Sequence, residues 1–178
     1  MSAQRYFLVG MPASGKSSVG SLLAKQLRLK FDDLDDIIVE KEGMPITDIF
    51  ELKGEDYFRR LEKECLKEYI NNQDNYILAT GGGAPCFFDN MKLMNQHGIT
   101  IFLDVEIEDL YEKLRVKGTD KRPLLKGKSS KKLRRELYEK YEYRKPFYSR
   151  SRITLQQRLS DKNDRVNQVI FAIRTLKE

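Results

Sequence analysis

The sequence has no tryptophan, one histidine, two cysteines and five prolines in 178 residues. No apolar run reaches the roughly 18 residues that a membrane span needs, so a chain that stays out of the bilayer is expected. A strand-like segment begins within a few residues of Met1, which leaves no room for a signal peptide. Cys65 and Cys86 are too few to staple a chain whose 40% hydrophobic content can build its own core. Reduced thiols and a cytoplasmic setting follow as the expectation. No repeat, low-complexity tract or Pro/Gly/Ser-rich linker divides the chain, and its length suits one domain over residues 1–178. The lone histidine, His97 before Gly98, reads as the end of a helix, where the dipole favours it, and carries no catalytic role.

Positive charge is plentiful but uneven. Between Lys113 and Arg152 there are 16 Lys/Arg against 4 Asp/Glu, within a chain of net charge +6. Such a stretch attracts polyanions, whether nucleic acid or a multiply charged small ligand. For most of these side chains the plainer reading is a solvated helix face. Glu136, Glu139 and Glu142 recur at helical spacing and fit ordinary surface pairing.

Strand-like runs fall at Tyr6–Val9, Lys30–Asp33, Tyr76–Thr80, Ile99–Asp104 and Arg152–Leu155, with helix-spaced segments between them. Val19, Leu22, Leu23 and Leu27 share one helical face, and so do Phe58, Leu61, Cys65 and Tyr69. Strands alternating with helices predict an α/β fold, a mostly parallel sheet covered on both faces. In such sheets ligands sit outside the carboxyl ends of the strands. "GMPASGKS", "DDLDD" and "TGGGAP" each follow directly on a strand, so three candidate loops gather at one edge.

Gly10 to Ser17 matches G-x-x-x-x-G-K-[ST] in full. Glycines let successive N–H groups turn inward, and the following helix adds its positive N-terminal end. In this loop type the lysine, here Lys16, reaches the β/γ-phosphates and the serine, here Ser17, ligates Mg²⁺. A nucleoside triphosphate site is therefore expected. The N/T-K-x-D and D-x-x-G motifs of GTPases are missing from suitable places, and the strand ending "YILATGGGAP" lacks the acid that commonly supports the metal. Acid is plentiful instead in "FDDLDDII". If Phe31–Asp35 is extended, Asp33 and Asp35 share one side, one for a metal-bound water and the other for a substrate hydroxyl. The alternative is that these acids cap the next helix, Asp36 most naturally and Asp35 next.

Taken together, "GMPASGKSSVG", "FDDLDDIIVEKEGMPITDIFELKGEDYFRRLE", "LATGGGAP", "RPLL" and "YRKPFY" occur in the order found in shikimate kinases, and the resemblance runs from about Phe7 to Tyr148. It implies a three-layer fold like that of nucleoside-monophosphate kinases: a five-stranded parallel sheet, a substrate-binding region near residues 33–61 and a lid near 116–130. It implies ATP-dependent phosphorylation of the shikimate 3-hydroxyl on the route to aromatic amino acids, with Mg²⁺, by a monomer that binds no nucleic acid. Carried over by position, Ala13, Ser14, Gly15, Lys16, Ser17 and Ser18 hold ATP phosphates, with Ser17 on the metal and Asp33 supporting it through water. Asp35 meets the shikimate hydroxyl, Arg59 and Arg144 clamp its carboxylate, and Gly82 lets the backbone approach the ring. Arg122 reaches the ATP phosphates from the lid and Arg115 flanks adenine. Lys16, Asp35 and Arg122 are the residues expected to act in catalysis.

Two arginine forks on one carboxylate make chemical sense, because paired hydrogen bonds fix both its position and its plane. Pattern alone does not separate Arg59 from the adjacent Arg60; the resemblance chooses Arg59. Two departures stand out. Ala13 occupies a position where the family commonly has glycine, and "TLQQRLSDKND" lacks a proline expected near adenine. Kinases of gluconate or of nucleoside monophosphates are the nearest alternatives. A P-loop nucleic-acid module, using Tyr138, Tyr141, Tyr143 and Tyr148 to stack on bases, is the alternative from another class.

Overall fold

The computed structural model describes residues 3–116, 130–157 and 161–177. Five strands form one parallel sheet: β1 (Arg5–Val9), β2 (Lys30–Asp33), β3 (Tyr76–Ala79), β4 (Ile99–Val105) and β5 (Ile153–Gln157), in the order β2-β3-β1-β4-β5. Seven helices connect or flank them: α1 (Lys16–Leu27), α2 (Leu34–Glu42), α3 (Ile46–Asn72), α4 (Asn90–His97), α5 (Ile107–Val116), α6 (Ser130–Tyr148) and α7 (Lys162–Lys177). Each expected strand is present to within two residues at either end.

The layers follow from the pleat. Successive strand side chains point to opposite faces, so Phe7 and Val9 enter one core while Tyr6 and Leu8 enter the other. The first core also holds Leu78 and Phe102 and is closed by apolar residues of α3, α4, α5 and α6. The second holds Ile77, Ile101 and Leu103, and α1 and α7 close it with Val19, Leu23, Val166 and Val169. This double burial is why "YFLV" and "YILA" read as continuous apolar runs rather than alternating ones.

β1 sits at the centre. The chain passes from it to β2 and β3 on one side and to β4 and β5 on the other, so the sheet changes direction beside the loop after β1. That switch point is where α/β sheets open a crevice. α3 is bent at Gly54 (φ 78°, ψ 170°), a conformation that side-chain-bearing residues rarely adopt. The bend starts a fresh helical segment at Glu55, where the apolar spacing predicts one.

His97 does end a helix, but Gly98 follows it with extended backbone (φ −173°), which any residue can adopt. Its lack of a side chain serves close approach: a Cβ there would lie 2.4 Å from the Arg5 carbonyl oxygen and 2.9 Å from Arg5 Cβ. Because the obstacle is backbone, Gly98→Ala must push β4 away from β1. A loss of about 1–3 kcal/mol is expected, read as a lower urea midpoint at unchanged slope.

Candidate active site

The loop after β1 is built on positive φ angles at Gly10 (143°), Ala13 (69°) and Gly15 (91°). For alanine that conformation costs about 1–2 kcal/mol, whereas a glycine adopts it freely. The Ala13 methyl packs against the first core, which offsets part of the cost. Lys16, buried at the start of α1, donates to the carbonyls of Gly10 (3.0 Å) and Met11 (2.9 Å). Ser17 Oγ donates to Asp33 Oδ2 at 2.7 Å. A hydroxyl and a carboxylate side by side suit a hard cation such as Mg²⁺, which takes a few protein oxygens and completes its shell from phosphates and water.

Asp33 differs from its expected setting. β2 stops at Asp33 and α2 begins at Leu34, so Phe31–Asp35 is not one extended run. The cap of α2 is Asp33 itself, not Asp35 or Asp36: its Oδ1 accepts from the Asp35 N–H at 3.1 Å. A helix N-terminus satisfies its free N–H groups this way, and the cap outweighs one more residue of strand. Asp33 therefore links Ser17 to α2, and Asp35 projects from the first turn of that helix.

The meeting point is the glycine triplet after β3. A Cβ on Gly81 would lie 2.8 Å from Asp35 Oδ1 and 3.0 Å from Glu62 Oε1. On Gly82 it would lie 2.8 Å from Pro12 Cδ and 3.0 Å from Arg144 Nη1, and on Gly83 it would lie 2.6 Å from Arg59 Nη2. Three bare glycines thus let an acid, two guanidinium groups and the P-loop converge on one strip of backbone. Tyr148, fully buried, donates its hydroxyl to the Gly82 carbonyl and fixes the strip from below.

Arg59 is held on every side. Its Nη1 donates to Glu62 Oε2 at 2.8 Å, its Nε and Nη2 donate to Glu55 Oε1, and its guanidinium carbon lies 4.4 Å from the centre of the Phe87 ring. Glu62 is 0% exposed, and its Oε1 has no hydrogen-bond partner among the described residues. Burial pushes its carboxyl up to about 7, against the pull of Arg59 and helped by the nearby Asp35. Cys86 is pushed up to about 11, again chiefly by burial, so its thiol is unreactive at neutral pH. Cys65 is buried in the first core.

The shikimate kinase family profile matches residues 12–174. A shikimate kinase of Parabacteroides distasonis is 44% identical over 152 residues, covering 85% of this chain and 86% of that relative. The crystal structure of the Bacteroides thetaiotaomicron shikimate kinase superposes with a TM-score of 0.92 at 34% identity, covering 97% of this chain and 99% of that one. That of the Acinetobacter baumannii shikimate kinase, solved in complex with shikimate, superposes with a TM-score of 0.88 at 31% identity over 98% and 95% of the two chains. The chain belongs to the shikimate kinase family. It is accordingly an ATP-dependent kinase of shikimate, with the five-stranded P-loop fold that the resemblance implies.

Against this family pattern the expected residues divide cleanly. Lys16, Ser17 and Asp33 gather at the P-loop, with Ser14 buried and Gly15 at the head of α1. Ser18 is exposed on the first turn of α1. Asp35, Arg59, Arg144 and Gly82 meet at the glycine triplet. Arg115 stands apart, exposed on α5 and paired with Glu112 at 2.9 Å. Arg122 and the lid near 116–130 lie outside the described residues, save that α5 ends at Val116 and α6 starts at Ser130.

The tyrosines considered as base-stacking groups are mostly committed elsewhere. Tyr148 is in the core, Tyr141 donates to Asp104 at 2.9 Å and Tyr138 donates to Glu108 at 3.2 Å, while Tyr143 is exposed. Part of the basic stretch pairs locally, Arg134 with Glu108 of α5 and Arg135 with Glu139.

Glu62 is the last residue of the quoted stretch ending "GEDYFRRLE", but no role followed from the pattern alone. Its raised pKa makes the site pH-sensitive. Below about 7 the folded enzyme holds Glu62 neutral and Arg59 is offset by Glu55 alone; above it, the Glu62 carboxylate offsets Arg59 further. With Arg59 on the substrate carboxylate, as the resemblance implies, the KM for shikimate should rise between about pH 6 and about pH 8, and Glu62→Gln should flatten that rise. Because the folded pKa exceeds the ordinary 4.5, this group's contribution to stability falls as pH rises from there through about 7.

Proposed function

We propose that the enzyme phosphorylates the 3-hydroxyl of shikimate by holding its carboxylate between Arg59 and Arg144 and its hydroxyl at Asp35. The observation that carries this reading is the convergence of those three side chains on Gly81–Gly83, beside Pro12 of the P-loop. An anion entering that cleft meets two guanidinium groups from different helices, α3 and α6, and one acid from α2. Charge-assisted, two-pronged hydrogen bonds fix the acid's orientation, so one hydroxyl faces the P-loop.

Lys16 neutralises charge on the β/γ-phosphates, while the N–H groups of Ala13–Ser18 and the start of α1 cradle them. Ser17 Oγ would hold Mg²⁺, with Asp33 acting through water, and the ion would supply charge neutralisation on the phosphate oxygens. Phosphoryl transfer has a loose transition state, so alignment and charge neutralisation count for more than early proton removal. Asp35 orients the hydroxyl and takes its proton late in the transfer. Arg122 closes on the triphosphate from the lid near 116–130, a role that contributes about 10³–10⁵ in rate where arginines fill it. Closure also keeps water from acting as the acceptor. Arg115 flanks adenine once it leaves Glu112.

We read the chain as one domain over residues 1–178, with the acceptor region near 33–61. It works as a cytoplasmic monomer and binds no nucleic acid. Among the described residues no helix is long and apolar enough to cross a membrane.

Coupled ADP-release assays with shikimate, gluconate, AMP and CMP test the acceptor; turnover with shikimate alone is expected, and turnover only with another acceptor overturns the assignment. Arg144→Ala should raise the shikimate KM by about 10²-fold, the loss expected for a charge-assisted pair, with the ATP KM nearly unchanged. Arg59→Ala should do the same and should also lower the melting temperature, because it strips buried Glu62 of its cation. Either variant weakening ATP binding alone would remove that arginine from the carboxylate clamp.

A further inference from the structure

Behind the P-loop, on the side away from the glycine triplet, lies a buried cation that the reaction as described does not use. Arg165, in the first turn of α7, is 3% exposed. Its Nη2 donates to the Ser14 carbonyl at 2.6 Å, across 151 residues of sequence. Its Nε donates to Gln157 Oε1 at 2.7 Å, and Gln157 Nε2 returns a bond to the Arg165 carbonyl at 3.4 Å. Its hydrogen-bond partners among the described residues are thus a carbonyl and an amide, with no carboxylate to neutralise it. Its Nη1 lies 2.6 Å from where a Gly15 Cβ would stand, so the guanidinium covers the outer face of Gly15.

From this geometry we infer that Arg165 is a positioning residue for ATP, which sets the Ser14–Gly15 peptide so that the Gly15 N–H faces the phosphates. The reason lies in the peptide plane. Peptide bonds here are trans, and in a trans peptide the C=O and N–H point in opposite directions. Holding the Ser14 carbonyl outward turns the Gly15 N–H inward, and that N–H makes no hydrogen bond to another described residue. The neighbouring Ala13–Ser14 peptide is handled in the same way by another helix: Lys113 Nζ of α5 donates to the Ala13 carbonyl at 2.7 Å, while the Ser14 N–H closes a turn on Met11. Of these two peptides, only the one Arg165 grips keeps its N–H for a ligand. Gln157, at the end of β5, braces the guanidinium, so the loop's shape is tied to the far edge of the sheet.

This inference rests on the P-loop as the ATP phosphate site, and its test separates the two. Arg165→Met removes the charge and the bonds at similar volume, and Arg165→Lys keeps the charge. ADP affinity is measured by calorimetry and turnover with ATP and shikimate, alongside thermal melting. Arg165→Met should weaken ADP binding and raise the ATP KM by about 10- to 100-fold, the range for a lost hydrogen bond to a charged group. The shikimate KM should stay within about twofold, and Arg165→Lys should recover most of the loss. An unchanged ADP affinity in folded Arg165→Met, or parallel losses for ATP and shikimate, would overturn the inference. Where Arg165→Met fails to fold, Gln157→Leu is read instead: a selective loss of ADP affinity of about threefold or more supports the inference, and no loss overturns it. Failure of the unaltered enzyme to bind ADP would instead reject the phosphate site itself.

Discussion

Three consecutive residues without side chains decide what this enzyme can grip. At Gly81, Gly82 and Gly83 an added Cβ would stand within about 3 Å of Asp35, Pro12 and Arg59 respectively. None of these neighbours can withdraw cheaply. Asp35 sits at the head of α2, Pro12 belongs to the P-loop, and Arg59 is fixed by Glu55 and Glu62. The backbone of one loop therefore sets the separation between the acid, the two arginines and the phosphate loop. Moving any one of them by the width of a methyl group would uncouple the acceptor from the donor.

The same crowding creates the site's electrostatic tension. Arg59 is nearly buried, and beside it Glu62 has no access to solvent at all. A lone buried guanidinium would be costly, and a fully ionised pair would leave little attraction for a substrate acid. Glu62 resolves the conflict by holding its proton up to about neutral pH. Arg59 is then oriented by Glu62 without a second full negative charge beside that of Glu55, which leaves it more attractive to an anion than two ionised acids would. The orphaned Glu62 Oε1, close to Gly81 and Asp35, places a second polar atom at the edge of the acceptor cleft.

Much of this was legible in the sequence because the signals are local. Continuous apolar runs give the five strands, and the P-loop spacing gives its own geometry. The three loops share an edge because parallel strands carry their carboxyl ends together. What was not legible depends on competition or on distance. The stretch "FDDLDD" alternates well enough to extend a strand, yet the need to cap α2 ends β2 at Asp33 and gives the cap to that residue. Arg59 and Arg60 look alike in the sequence. The structure separates them by burial: Arg59 is enclosed by two acids and a phenyl ring, and Arg60 is exposed. Arg165 lacked any signal, because a single arginine in a polar helix start gives no hint that it reaches a loop 151 residues away.

The long-range contacts also explain how a strained loop keeps its shape. Ala13 sits at a backbone angle that costs about 1–2 kcal/mol, and a flexible loop could relax it. Relaxation is opposed from both sides of the sheet. Lys113 reaches the loop from α5, which packs on the first core, and Arg165 reaches it from α7, which packs on the second. Lys16 crosses the loop from α1. Each bond contributes about 1–3 kcal/mol where the donor is charged, so together they exceed the strain they oppose. Their carbonyl acceptors, on Gly10, Met11, Ala13 and Ser14, also lie on four different peptides, so no single rotation releases all of them. Part of the basic excess in this chain thus works inside the structure, behind the phosphate loop, and not only on its surface. A loop fixed in this way presents its N–H groups to a triphosphate at little further cost in ordering, which is what a reaction governed by alignment requires.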